Sequence, residues 1–157
     1  MRWSEFERAA PALAQAARAR LEATHIALLG TLRRDGSPRI SPIEPYFTPD
    51  ELLLGAMARS MKAIDLRRDP RCVLHSAVTE PDAGEPEFKL YGRAVPAEAA
   101  DVPPTAWWLS QPLGAAYVCT LEIESAASIT WQLERGEMTV MRWSLRDGLA
   151  EATRSYP

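Results

Sequence analysis

Apolar residues at the start of the chain recur at helical spacing. Trp3, Phe6, Ala10, Leu13, Ala17 and Leu21 repeat every three or four positions, the pattern of a helix that buries one stripe. Ser4 and Glu7 stand at capping-box spacing. Pro11 predicts either a kink or a fresh helix start, because proline suits a first turn and disrupts an interior. Residues 1–22 therefore form a helical segment, and its alanines let it lie close against a sheet.

From Thr24 the period shortens to two. The run "THIALLGTLRRDGSPRISPIEPYF" is two strands joined at Asp35-Gly36, a strong hairpin signal. The first strand is apolar on both faces, as an interior strand should be. In the second, Arg39, Ser41 and Ile43 share one face, while Ile40 and Pro42 share the other. Pro38, Pro42 and Pro45 lack the N–H that an interior strand needs. This strand is thus expected to be an edge, or to leave one side free for a ligand.

Beyond a turn at Thr48 to Glu51, "LLLGAMA" predicts a third strand. "SMKAIDLRRD" gives a short helix with Ser60 at its start and Pro70 beyond its end. "RCVLHSAVT" and "EFKLYGRAVP" give two more strands across a polar loop. Residues 97–116 are irregular, with Pro103, Pro104 and Pro112 bounding at most a short helix. "YVCTLEIES", "SITWQLER" and "EMTVMRWSL" read as three closing strands. Six to eight strands that close on themselves, an N-terminal helix and short connecting helices define a mainly β chain. The expected architecture is a small antiparallel barrel over residues 24–145, in one domain over residues 1–157.

Composition narrows the function. A chain of 157 residues, 46% hydrophobic and 25% charged, has the size of one globular domain. No apolar run is long enough to span a membrane. The N-terminus reads as neither a secretory signal nor an organelle transit peptide. A net charge of -3 offers no general attraction to nucleic acid. Cys72 and Cys119 are widely spaced in apolar surroundings and read as buried free thiols; the expected compartment is the cytoplasm. No metal-binding cluster and no Ser-His-Asp arrangement is visible.

The candidate chemistry lies at the short helix. A first helical turn leaves backbone N–H groups unpaired and carries the positive end of the helix dipole. A phosphate placed there meets those amides, the Ser60 hydroxyl and the Lys62 ammonium together. If the second and third strands are neighbours, Arg39 and Lys62 can converge on one anion, and the weak donors of the proline-rich strand leave its edge open to a flat ring. Ser60 could also serve only as a helix cap, with Lys62 solvated. His25 and His75 fall in predicted strands and read as barrel residues, although His75 could face a ligand cavity. Trp107, Trp108, Trp131 and Trp143 read as packing residues, with stacking on a flat cofactor a second use for the Trp107-Trp108 pair. Arg67, Arg68 and Arg71 read as a solvated helix face that complements the helix dipole, with attraction of an acidic cofactor tail a second use.

The ordered set "ALLGTLRRDGSPRISPIEPYF", "DELLLGAMARSMKAIDLRRDPRCVLHS", "FKLYGRAV" and "MRWSLRDG" resembles the pyridoxamine 5'-phosphate oxidase-like, FMN-binding split-barrel family. The resemblance implies an antiparallel split β-barrel, and a homodimer with cofactor sites at its interface. It implies that Arg39, Ser60 and Lys62 hold a phosphate, and that Ile40, Ser41, Pro42, Ile43, Ala56 and Met57 line a flavin ring. FMN is the implied cofactor, coenzyme F420 the alternative, and a small molecule the substrate. A flavin- or haem-binding module without turnover is a further alternative. Met61 stands where family oxidases often carry arginine, and Glu87 stands near a position where they carry glutamine. The C-terminal Arg-x-His that grips pyridoxamine phosphate is missing from "RWSLRDGLAEATRSYP". The expected activity is therefore oxidoreduction of another small molecule, with no side chain assigned as catalytic.

Overall fold

The computed structural model describes residues 1–78, 84–97 and 114–155. Two helices open the chain, α1 (Trp3–Ala9) and α2 (Pro11–Thr24). Pro11 starts the second helix and does not kink the first, because its missing N–H falls where no intrahelical bond is lost. The cap of α1 lies two residues earlier than the sequence pattern suggests. Glu5, not Glu7, reaches back to accept from the Arg2 N–H at 2.8 Å; Ser4 lies inside the helix, and Glu7 instead accepts from Arg18 at 2.9 Å.

The strands are β1 (Ala27–Leu32), β2 (Pro38–Phe47), β3 (Leu52–Met57), β4 (Arg71–Ser76), β5 (Glu87–Pro96), β6 (Ala116–Gln132), β7 (Glu137–Ser144) and β8 (Gly148–Ser155), with helix α3 (Met61–Arg68) between β3 and β4. Their order is β3-β2-β1-β4-β5-β6-β7-β8, all antiparallel, and β3 pairs with β6 to close the first six into a barrel. The architecture is the expected mainly β, antiparallel split barrel.

Two strand expectations change. The separate runs "YVCTLEIES" and "SITWQLER" are one 17-residue strand, β6, whose first part closes the barrel on β3 while its second part carries β7. A bulge lets it do both: Tyr91 faces Ser125 and Gly92 faces Ile123, so Glu124 is an extra residue. The last strand, β8, follows an Asp147-Gly148 turn of the same kind as Asp35-Gly36, with Gly148 at φ +70, and lies beyond the expected barrel boundary. Trp107 and Trp108, with the irregular segment around them, lie outside the described residues.

Alternation fixes what faces the core. Ala27, Leu29 and Thr31 of β1 and Ile43 of β2 point inward, against buried Leu54, Leu74, Leu90 and Leu121. The helices close one end of this core. Trp3 meets Phe47 edge-on at 4.6 Å and Phe6 at 5.6 Å, and Phe6 meets Trp143 at 5.1 Å; each such pair adds about 0.5–1.5 kcal/mol beyond area burial.

The prolines of β2 explain how its edge stays open. Arg33 N–H donates to Ser37 O at 2.8 Å, closing a three-residue loop with Gly36 at φ +83. Antiparallel alternation from that pair turns the N–H and C=O of Arg39, Ser41 and Ile43 toward β1, and those of Pro38, Ile40 and Pro42 away from it. On that far side β3 pairs only with Glu44–Phe47, so the Pro38–Ile43 half has a free edge. Pro45 directs its nitrogen to the β1 side, past the end of the β1 ladder at Ile43. All three prolines therefore occupy positions where an N–H would have no ladder partner. Along the free half, Ile40 supplies the N–H donor.

Candidate functional site

The free edge of β2 and the start of α3 border two cavities. Helix α3 starts where it does because Ser60 is extended (φ -67, ψ 151) and its hydroxyl accepts from the Ala63 N–H at 3.4 Å. The first-turn amides of Met61 and Lys62 have no intrahelical acceptor. The helix ends at Arg68, one residue before Asp69-Pro70, since proline disfavours helical backbone in the residue before it.

The first cavity, of about 310 Å³, has walls of Pro42, Ile43, Ala56 and Met57, with Lys62 as its cation. Five predicted site residues thus share one space. Ile26, Glu44 and Gly55 line it too and were not anticipated. Glu44 was nonetheless legible, being the next residue on the outer face after Ile40 and Pro42. The Lys62 ammonium donates to the Pro42 carbonyl on the free edge. Burial pulls its pKa down, and the nearby Glu44 carboxylate opposes that shift.

The second cavity, of about 470 Å³, is bordered by Arg33, Arg34, Arg39, Met61, Asp65 and Arg68. Arg39 leaves β2 on its inner face, and its Nε donates to Asp65 Oδ2 at 2.7 Å. Thr31, directly opposite Arg39 across the ladder, donates to the same oxygen at 3.1 Å. Arg39 and Lys62 therefore line separate cavities, one bordered by Met61 and the other by Lys62, adjacent residues in the first turn of α3. Ser60 caps the helix, Ser41 is half-buried on the inner face, and Ile40, 72% exposed, stands outside both cavities on the outer face.

The residues fit a flat ring with an anionic tail. Apolar walls suit the ring faces, the Ile40 N–H and C=O are open for its polar edge, and cations flank the helix start. Over residues 13–130, most of this barrel included, the sequence matches the family model described as pyridoxamine 5'-phosphate oxidase. The chain belongs to the pyridoxamine 5'-phosphate oxidase family. No curated protein matches its sequence.

Solved structures agree with the family fold. A pyridoxamine 5'-phosphate oxidase-related, FMN binding protein from Nostoc punctiforme PCC 73102 is similar at TM-score 0.65 and 13% identity, over 93% of this chain and 96% of that one. PhzG from Burkholderia lata 383, in complex with tetrahydrophenazine-1-carboxylic acid, is similar at TM-score 0.66 and 13% identity, over 92% and 89%. A heme binding protein from Mycobacterium smegmatis is similar at TM-score 0.60 and 14% identity, over 92% and 88%.

The remaining candidates of this oxidase-family chain, Arg68 of the second cavity apart, lie away from the two cavities. His25 is not in a strand: it caps α2 in the left-handed region at φ 57, its N–H on Leu21 O at 2.9 Å. His75 is on β4, its Nδ1 2.6 Å from Ser76 O and its Nε2 4.0 Å from Glu87. Glu87 in turn pairs with Lys89 at 3.3 Å. The basic helix end is more than a solvated face. Arg67 donates to Ala58 O at 2.6 Å and lies 4.5 Å over the Tyr117 ring, Arg68 donates to Leu32 O, and Arg71 pairs with Asp69 at 2.6 Å. Both cysteines are free thiols, as expected. Burial, with the charge of Glu124, pushes the Cys72 thiol up to about 12, and burial raises Cys119 as well. Neither is a thiolate nucleophile at neutral pH. Among the described residues, no helix is long and apolar enough to cross a membrane.

Proposed function

We propose that the protein is a flavin-dependent oxidoreductase of the pyridoxamine 5'-phosphate oxidase-like family, binding FMN and acting on a small molecule other than pyridoxamine phosphate. The observation that carries this reading is the single cavity shared by Pro42, Ile43, Ala56, Met57 and Lys62 at the free edge of β2. FMN, when bound, supplies the hydride chemistry at its ring. The chain's own residues bind and orient. Apolar Pro42, Ile43, Ala56 and Met57 exclude water from the ring faces, while Ile40 offers a backbone donor and acceptor to the ring edge. Lys62, Arg39 and the capped start of α3 hold the phosphate.

The active unit in this reading is a homodimer. Ile26, which precedes β1 and lines the cavity, and Leu28 and Ile40, on the outer face of β1 and β2, are 47%, 41% and 72% exposed, and a second copy of the chain would cover them. Coenzyme F420 is the alternative ligand, since it too presents a flat ring and an anionic tail. Binding without turnover is a second reading. Glu44 favours it, because its carboxylate lines the cavity and partly offsets the charge of Lys62.

The test is an equilibrium titration of purified protein, from a host that does not make F420, with FMN and separately with F420, read by tryptophan fluorescence. Saturable FMN binding supports the reading. Exclusive binding of F420 replaces the cofactor, and binding of neither overturns the flavin assignment.

A further inference from the structure

The second cavity contains a carboxylate to which no role has been given. Asp65 is 1% exposed, yet it accepts from Thr31 Oγ1 at 3.1 Å and from Arg39 Nε at 2.7 Å, and lies 3.5 Å from Arg68 Nη1. Arg39 spends only its Nε on this pair; its two terminal nitrogens have no hydrogen-bond partner among the described residues. Arg33 and Arg34, both exposed at the β1–β2 loop, border the same space. The other carboxylate there, Asp35, is turned into its own loop, accepting from Ser37 N at 2.9 Å and Ser37 Oγ at 2.7 Å. Four guanidinium groups thus surround a cavity whose two carboxylates are already engaged.

We propose that Asp65 is a positioning residue: it grips Arg39 by Nε and so presents the two terminal nitrogens to a phosphate group, in a pocket that Arg33 and Arg34 make more positive. The proposal rests on the reading that this site takes a phosphorylated ligand, and it names what sets the geometry of Arg39. A guanidinium recognises phosphate through two parallel N–H bonds, so its value depends on being held at a fixed angle. Asp65 supplies that restraint from α3, and Thr31, on the neighbouring strand, holds the same Asp65 oxygen in place. Arg68 is the third contact of Asp65 and is itself anchored to Leu32 O.

The experiment compares FMN with riboflavin, which carries the same ring without the phosphate. The parent binds FMN more tightly than riboflavin. Asp65→Asn shrinks that preference about tenfold and leaves riboflavin affinity unchanged, whereas Asp65→Glu recovers part of the loss. The exposed pair Arg33→Ala/Arg34→Ala, which touches no buried group, shrinks it about threefold. A folded Asp65→Asn variant with the parental preference overturns the proposal. If Asp65→Asn does not fold, the double variant decides, and an unchanged preference there overturns it. If the parent binds neither flavin, the flavin reading fails on its own. Titration of inorganic phosphate, followed by ³¹P NMR, then judges the pocket: binding lost in the double variant supports it, and no binding to the parent refutes it.

Discussion

Replacing Lys62 with methionine separates a structural lysine from a ligand-binding one. Among the described residues Lys62 makes one hydrogen bond, to the Pro42 carbonyl. A well-shielded bond from a charged donor contributes about 1.5–3 kcal/mol net. Burial works against it, as the depressed pKa records, with only Glu44 pulling the other way. Pro42 O lies on a free strand edge, where water can replace the ammonium, so the two effects nearly cancel. We expect Lys62→Met to change stability by less than about 1 kcal/mol, or about 4 °C in Tm for a domain of this size. Its effect on FMN is larger. Losing one charge-assisted contact to phosphate costs about 2 kcal/mol, about 30-fold in Kd, and leaves riboflavin nearly unaffected. Thermal unfolding and parallel FMN and riboflavin titrations measure both numbers. A Tm drop beyond about 8 °C, twice the limit above, or an unchanged Kd for FMN, refutes this account of Lys62.

Other outcomes follow from the same structure. Gly92→Ala places a Cβ 1.9 Å from Glu122 O and 2.9 Å from Glu122 C, backbone that cannot swing aside. It should destabilise the fold by about 3 kcal/mol in urea unfolding, against about 1 kcal/mol for Gly30→Ala, where the close atom is a Val73 methyl. Burial raises the Asp65 carboxyl, but the hydrogen bonds of Arg39 and Thr31 and the charges of Arg39 and Arg68 outweigh it, holding its pKa below the ordinary 3.8. Its stabilisation is therefore full above pH 3.8 and disappears as pH falls through the lowered value. The acid limb of a Tm–pH profile should be shallower in Asp65→Asn than in the parent. Cys72 and Cys119 should resist a thiol reagent in the native protein at pH 8 and react once it is unfolded, because burial raises both thiols.

Much of this was legible in residue order because the signals are local. Short apolar and alternating runs placed β1 to β5, and Asp35-Gly36 and Ser60…Pro70 marked the hairpin and the helix. The spacing of Pro38, Pro42 and Pro45 implied a strand with one side free, and the ladder shows why each proline is tolerated. What failed depended on partners distant in sequence. Nothing between Ser125 and Ser128 marks β6 as continuous, since its second half is held by β7 and its bulge by Gly92. His25 looked like strand because its apolar neighbours belong to β1, while its own backbone closes α2. Strand β8, exposed at all eight positions, lacks an apolar face to announce it, although Asp147-Gly148 was a usable signal. The pairing of Arg39 with Asp65 joins residues 26 apart and could not be read from spacing. For that reason the spacing could not show that Arg39 lines one cavity and Lys62 another.

The most direct test of the central claim maps FMN onto the backbone. Amide chemical shifts of the isotope-labelled protein would be followed by NMR while FMN is added. The account predicts that Ile40, Ile43, Glu44, Ala56, Met57, Met61 and Lys62 move together and saturate at one ligand per chain. Saturating shifts confined to the outer groove of β5 to β8, around Lys89, Tyr91 and Arg142, or no shifts at all, would contradict it.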